Sequence, residues 1–184
     1  MKRKFPPGIE WLYLKIYTGI KTADLVLEEI IQPLVAYFQQ KEYISKWFFI
    51  RYNDPKPHLR VRLLLNNINY YNEILEKINH AFEQIIDSGE ISHILIDTYN
   101  REIERYGKNT MEDAESLFHK NSEFTLQCLH FDDEEKASKM IKKAKTQESK
   151  SSPTTSLISM ILKVLILHPL LQTMPERFAA SYGE

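Results

Sequence analysis

Cysteine is nearly absent from this chain: its 184 residues include only Cys128. A single thiol excludes an intramolecular disulfide framework and any zinc site built from several cysteines, and it fits a reducing, cytoplasmic setting. A charge excess is missing too. The 24 basic and 25 acidic residues nearly cancel to a net charge of −1, so no overall field gathers nucleic acid and any anion site has to be local. There is no long apolar run. The most apolar stretch, SLISMILKVLILHPLL at residues 156–171, is shorter than an ordinary membrane span and carries Lys163 at its centre, which predicts a packed helix and no membrane span. The basic start MKRKFPPGIEWLYL lacks a sustained apolar segment and a small-residue cleavage site, so no secretory signal is expected. The patterns GxxxxGK[ST], GxGxxG, GxSxG, HExxH and paired CxxC do not occur. Nucleotide, hydrolase and metal readings therefore lack their geometry, and neither a metal nor a cofactor is expected.

What is present is ordinary globular material. With 43% hydrophobic and 27% charged residues, the chain is long enough for one domain with a real core, expected to span residues 1–184. WLYLKIYTG (residues 11–19) alternates and then meets glycine, as a strand does. Thr22 is placed to cap a following helix, which Pro33 is expected to end or kink. KWFFIRY, the turn NDPKP and HLRVRLLL form an expected hairpin. Ile74, Leu75, Ile78, Phe82, Ile85 and Ile86 fall at helical spacing, and Ser88-Gly89 stops that helix. Strand signals resume at ISHILIDTY. Asn109 or Thr110 then caps a helix reaching about residue 130, an acidic-to-basic helix covers 132–145, a serine-rich flexible loop covers about 147–155, and the terminal helix follows. This order predicts an α+β fold, a mainly antiparallel sheet flanked by helices.

The chemistry concentrates in two stretches. In NDPKPHLRVRLLL (residues 53–65), a strand puts His58, Arg60, Arg62 and Leu64 on one side and Leu59, Val61, Leu63 and Leu65 on the other. One face is apolar and the other cationic. Paired guanidinium forks suit a carboxylate or phosphate held bidentately, although a half-buried strand with solvated arginines shows the same alternation. In DTYNREIERYG (residues 97–107), a helix would place Arg101 and Arg105 on one face, with Glu102 and Tyr106 on the next stripe. Mutual Glu and Arg pairing is the plain account of that spacing. Convergence of the two stretches at one sheet would give a strong anion site, with Arg62 and Arg101 pointing into one cavity. The aromatic residues beside basic ones in KIY and WFFIRY imitate a nucleic-acid stacking surface, but their strand period makes them core residues, and no direct nucleic-acid contact is expected.

WLYLKIYTG, WFFIRYNDPKPHLRVRL and DTYNREIERYGKNTMEDAESLFHKNS, in this order and spacing, resemble the small C-terminal elimination domain of lantibiotic dehydratases, which also occurs alone in thiopeptide-type bacteriocin biosynthesis. The resemblance covers roughly residues 11–129. It implies glutamate elimination: a glutamylated serine or threonine of a precursor peptide loses glutamate and becomes a dehydroamino acid. It further implies a separate glutamylating dehydratase subunit as partner, leaves a homo-oligomer open, and maps the family's arginines onto Arg60 or Arg62 and onto Arg101; Arg62 and Arg101 are preferred, with Arg60 and Arg105 in support. Tyr99 and Tyr106 flank these positions as substrate-binding candidates.

The family's late helical motif, similar to SLIHM with a following asparagine–arginine pair, is matched here by SLISMILKV, so Ser159 stands where histidine is expected and Leu162-Lys163 where the pair belongs. A serine hydroxyl does not replace imidazole as a proton carrier near neutral pH without its own activating base. Among His58, His93, His119, His130 and His168, His58 is the best substitute because it shares the arginine face. A noncatalytic relative that binds peptide or supports a dehydratase complex is the alternative reading, and the pyridine-forming step of thiopeptide synthesis is a third.

Overall fold

The computed structural model describes residues 1–129. The helix expected at 132–145, the loop at 147–155, the terminal helix at 156–171 and Ser159 lie outside the described residues. The described residues form one compact unit, built as α+β with antiparallel sheets flanked by helices.

The main sheet has four strands: β2 (Trp11–Thr18), β3 (Ile44–Tyr52), β4 (His58–Leu65) and β5 (Ile91–Ile96), in the spatial order β3-β4-β2-β5. Every neighbouring pair in it is antiparallel. The hairpin read from KWFFIRY and HLRVRLLL is present as β3–β4, with Phe48 opposite Arg62 and Ile50 opposite Arg60. A second, two-stranded sheet joins β1 (Lys4–Phe5) to β6 (Tyr99–Asn100).

Alternation along the strands sorts the residues as expected. Leu12, Leu14 and Ile16 of β2 and Leu59, Val61, Leu63 and Leu65 of β4 are buried in one apolar core, joined by Ile74, Ile78 and Phe82 of α3 (Tyr71–Asp87). Full burial of each such side chain contributes about 1.5–3 kcal/mol. From the other elements Val26, Leu27, Ile30, Val35 and Phe38 complete the layer.

The helical segment between β2 and β3 differs from its sequence-based reading. It starts at Ile20 with Gly19 as its cap, making α1 (Ile20–Leu25), passes through a π-helical stretch at Val26–Ile31, and continues as α2 (Gln32–Gln40). Pro33 therefore does not end the helix. A proline lacks an N–H and its ring clashes with the carbonyl four residues earlier; the wider winding just ahead of it relieves that conflict while Val26, Leu27, Ile30 and Ile31 stay buried.

The stretch ISHILIDTY is also not one strand. β5 ends at Ile96, and Tyr99–Asn100 turns away to pair with the N-terminal Lys4–Phe5. Arg101 follows outside any helix, and only Ile103–Tyr106 forms a short helical turn, α4, closed by Gly107 at φ 81°. The single helix that would have stacked Arg101 on Arg105 is absent because β6 pairing holds the chain extended up to Asn100. The last described helix, α5 (Met111–Leu129), runs along the free edge of β3. Ser122 Oγ accepts from the Phe49 amide at 3.1 Å, and His119 Nδ1 lies 3.0 Å from the Trp47 carbonyl oxygen. These side chains occupy backbone groups that an open sheet edge would offer to other chains. No helix among the described residues is long and apolar enough to cross a membrane.

Candidate functional site: a buried guanidinium in an aromatic box

The face of the sheet opposite the apolar core carries His58, Arg60 and Arg62 from β4, Tyr13, Lys15 and Tyr17 from β2, and Phe48 and Tyr52 from β3, in cross-strand register. Arg62 lies at its centre. Its residue is 7% exposed, and its guanidinium carbon sits 4.5 Å from the Tyr13 ring centre, 4.9 Å from Tyr99 and 5.1 Å from Phe48. The aromatic wall extends outward, with Trp11 5.1 Å and Phe5 5.8 Å from Tyr99, ring centre to ring centre. Nε and Nη1 of Arg62 are buried and have no hydrogen-bond partner among the described residues, and none of the ion pairs there involves it.

Burial without a counter-ion disfavours the charged form, so desolvation pulls the Arg62 pKa below its ordinary value while Tyr13 and Tyr99 oppose it. Ring quadrupoles offset part of the cost, each contributing about 0.5–2 kcal/mol. They supply no hydrogen-bond acceptor. A buried cation with free donors is a standing demand for an anion.

Arg60 and His58 adjoin it. Arg60 stacks 3.5 Å over the Tyr52 ring and its Nε–H donates to His58 Nε2 at 3.0 Å. The other imidazole nitrogen, Nδ1, lies 2.8 Å from the Lys56 carbonyl oxygen and donates to it. His58 is buried between Tyr17 and Tyr52, with ring centres at 4.7 and 5.5 Å. Desolvation lowers its pKa, and Arg60 and Lys15 add to the shift, so the imidazole is neutral. Lys15, cross-strand from Arg60, is held by Asp97, whose hydrogen bond raises the lysine pKa and lowers that of the carboxylate.

Arg101 occupies a different situation. Its Nε and Nη2 donate to the two carboxylate oxygens of Glu115, both at 2.7 Å, and Nη1 reaches the Lys2 carbonyl oxygen at 3.2 Å. Burial works to lower its pKa, but the Glu115 hydrogen bonds and charge outweigh it and the net shift is upward. Tyr99 connects the two arginines: its ring walls Arg62 and its hydroxyl donates to Glu115 Oε1 at 2.9 Å. Burial and the Glu115 charge raise the Tyr99 pKa, which keeps it a donor.

The structure thus gathers Arg62, Tyr99 and Arg101 into one cluster, sets Arg60 and His58 beside it, and leaves Arg105 at the surface. Arg105 has a side chain 54% exposed, pairs with Glu102 at 3.5 Å, and lies 5.4 Å over the Tyr106 ring. Tyr106 packs edge-on against Phe118, 5.2 Å between ring centres. Four convergent, open guanidinium groups are not what forms: the fork of Arg101 is filled by Glu115. Sequence reasoning passed over Glu115, Tyr13 and Phe48. The signal for Glu115 was its place on a helix stripe with Met111, Phe118 and Ser122, all buried; an acid on a buried stripe needs a cation.

The fold is thus an antiparallel sheet that buries Arg62 among aromatic rings, with Arg60 and His58 beside it. Residues 11–180 match the family described as the C-terminal part of the lantibiotic biosynthesis dehydratase, and the chain belongs to that family. It is 35% identical over 127 residues to the subtilin biosynthesis protein SpaB of Bacillus subtilis, a match covering 63% of this chain and 11% of that protein. It is 35% identical over 122 residues to the nisin biosynthesis protein NisB of Lactococcus lactis subsp. lactis, covering 64% and 11%. The chain therefore spans about a tenth of the length of these relatives. Among solved structures, it is similar to the tRNA-dependent lantibiotic dehydratase MibB from Microbispora sp. 107891, with a TM-score of 0.60 and 28% identity over 66% of this chain and 12% of that one. A likeness to TsrL, with a TM-score of 0.53 and 19% identity over 65% of this chain and 34% of that one, extends to the fold alone.

Proposed function

We propose that this chain carries a glutamate-eliminating lyase activity, acting on a precursor peptide whose serine or threonine a dehydratase has glutamylated. The observation that carries this reading is the buried Arg62 guanidinium, with Nε and Nη1 unpartnered among the described residues. In the reaction a base removes the α-proton of the esterified residue; that electron pair forms the Cα=Cβ bond, the Cβ–O bond breaks, and its pair leaves on the glutamate carboxylate. Negative charge develops on the peptide carbonyl oxygen and on the departing carboxylate. Arg62 and Arg60 receive that charge, Arg62 also holding the free side-chain carboxylate of the glutamyl group, and loss of one preorganised donor costs about 2.7–4 kcal/mol in comparable sites.

His58 is the proton acceptor in this scheme. It is neutral and its Nε2 lone pair is presented to Arg60, so it accepts the substrate proton on releasing Arg60 to the leaving carboxylate. Tyr106 and the exposed Arg105 take the flanking peptide. The reaction takes place in the cytoplasm without metal or cofactor.

Two observations favour the second reading, a noncatalytic peptide-binding relative: Nε2 of His58 is already hydrogen-bonded to Arg60, and Ser159 stands where the resemblance places histidine. The deciding experiment incubates the chain with a synthetic peptide carrying O-glutamyl serine and follows loss of glutamate by mass spectrometry. Turnover abolished by Arg62→Ala and His58→Ala supports the lyase. Binding without turnover supports the noncatalytic relative, and neither binding nor turnover removes both.

A further inference from the structure

We infer that Glu115 is a positioning residue that orients Arg62 through Tyr99, and that Arg101 serves the site by holding Glu115 rather than by touching substrate. The inference rests on the reading of Arg62 as the anion receptor.

The two arginines differ in what their donors reach. Every nitrogen of the Arg101 fork has a protein acceptor: Nε and Nη2 on Glu115 at 2.7 Å each, and Nη1 on the Lys2 carbonyl at 3.2 Å with Glu112 at 3.5 Å. Its flat face lies 4.9 Å from the Phe5 ring centre, and its own amide donates to the Arg3 carbonyl at 2.9 Å. A substrate carboxylate approaching Arg101 has to displace Glu115, which is 1% exposed and would be left as an unpaired buried charge. Such a loss of one partner is among the costliest changes a fold can suffer. Arg62 has no such occupant among the described residues.

Glu115 in turn governs Tyr99. Oε1 accepts from both Arg101 Nε and the Tyr99 hydroxyl, at 2.7 and 2.9 Å. That shared oxygen fixes the rotation of the Tyr99 ring, which stacks on Phe5 and forms one of the three walls around Arg62. A guanidinium with unpartnered nitrogens keeps its direction only through those walls. Releasing Tyr99 frees Arg62 to turn away from an incoming anion.

The test uses the full 184-residue chain and two synthetic peptides, one bearing O-glutamyl serine and one its O-glutaminyl counterpart, which lacks the free side-chain carboxylate. Affinity for each is measured by titration for the native chain, Tyr99→Phe, Glu115→Gln, Arg101→Gln and the Arg101→Gln/Glu115→Gln pair, with thermal unfolding recorded for all. Positioning predicts that each single variant lowers the preference for the glutamyl peptide by roughly tenfold, the worth of one buried hydrogen bond. The double variant recovers most of it, because two amides leave no unpaired charge and still offer Tyr99 an acceptor. A folded double variant as defective as Arg101→Gln means that the Arg101 charge meets the substrate, and overturns the inference. If the charged variants do not fold, Tyr99→Phe decides, since it removes one hydroxyl: an unchanged preference overturns the relay. No preference in the native chain shows that the anion-receptor reading itself has failed, before any variant is made.

Discussion

Arg60 donates its Nε–H to Nε2 of His58 across 3.0 Å, and this bond fixes the imidazole proton on Nδ1, facing the Lys56 carbonyl. Protonating Nε2 would set two donors against each other beside a second positive charge. The His58 pKa is accordingly lowered, by burial first and by Arg60 and Lys15 after it. The unfolded chain, with an imidazole pKa of about 6.5, takes up this proton before the folded one does. Stability is therefore unaffected by this group above that pH and falls as pH drops below it, until the folded-state pKa is passed. Urea midpoints recorded against pH should fall more steeply over that window for the native chain than for His58→Gln; identical profiles would show that the Arg60 contact does not hold His58 neutral.

Arg62 is a place where stability and function are expected to oppose each other. An apolar side chain of similar length removes a buried cation with unsatisfied donors while keeping the aromatic contacts, and such replacements are often neutral or stabilising by about 1–4 kcal/mol. Arg62→Met should therefore keep or raise the unfolding free energy while abolishing selectivity for the glutamyl peptide. Denaturant unfolding paired with peptide titration reads both quantities, and a strongly destabilised Arg62→Met would mean that Arg62 has an internal partner.

Arg101 should behave in the opposite way. Truncation to alanine leaves Glu115 buried without its cation, a loss of about 3–5 kcal/mol, whereas Arg105→Ala, at the surface with one loose pair to Glu102, should leave the melting temperature nearly unchanged. Comparable melting temperatures for the two variants would contradict the geometry around Glu115.

At the sheet edge, Ser122→Ala removes the acceptor for the Phe49 amide. The expected cost is about 1 kcal/mol for a half-buried donor left unsatisfied, with faster hydrogen exchange at Phe49 than at Leu63, which lies in the interior strand β4. Unchanged exchange at Phe49 would mean that α5 does not protect this edge.

Much of this molecule follows from the order of its residues. Alternation in HLRVRLLL is enough to separate His58, Arg60 and Arg62 from Leu59, Val61, Leu63 and Leu65, because successive side chains on a strand point to opposite faces whatever else surrounds them. The hairpin, α3 and the start of α5 are local in the same sense. Their signals lie within a few residues: a turn between two strands, an apolar stripe at helical spacing, a glycine with φ 81° at Gly89 to end α3.

Tertiary structure decided the state of each arginine. Arg62 and Arg101 look alike in sequence, each set in a polar or alternating stretch, yet one is open and the other closed. The difference comes from Glu115, fourteen residues beyond Arg101 on α5, and from the pairing of Tyr99–Asn100 with the distant N-terminal Lys4–Phe5. That pairing costs the chain the helix that local spacing favoured at residues 97–107, and it turns Tyr99 over Arg62. Electrostatic and packing partners distant in sequence leave no periodic trace, so only the folded arrangement shows that the Arg101 guanidinium has its anion in Glu115 and that Arg62 has none among the described residues.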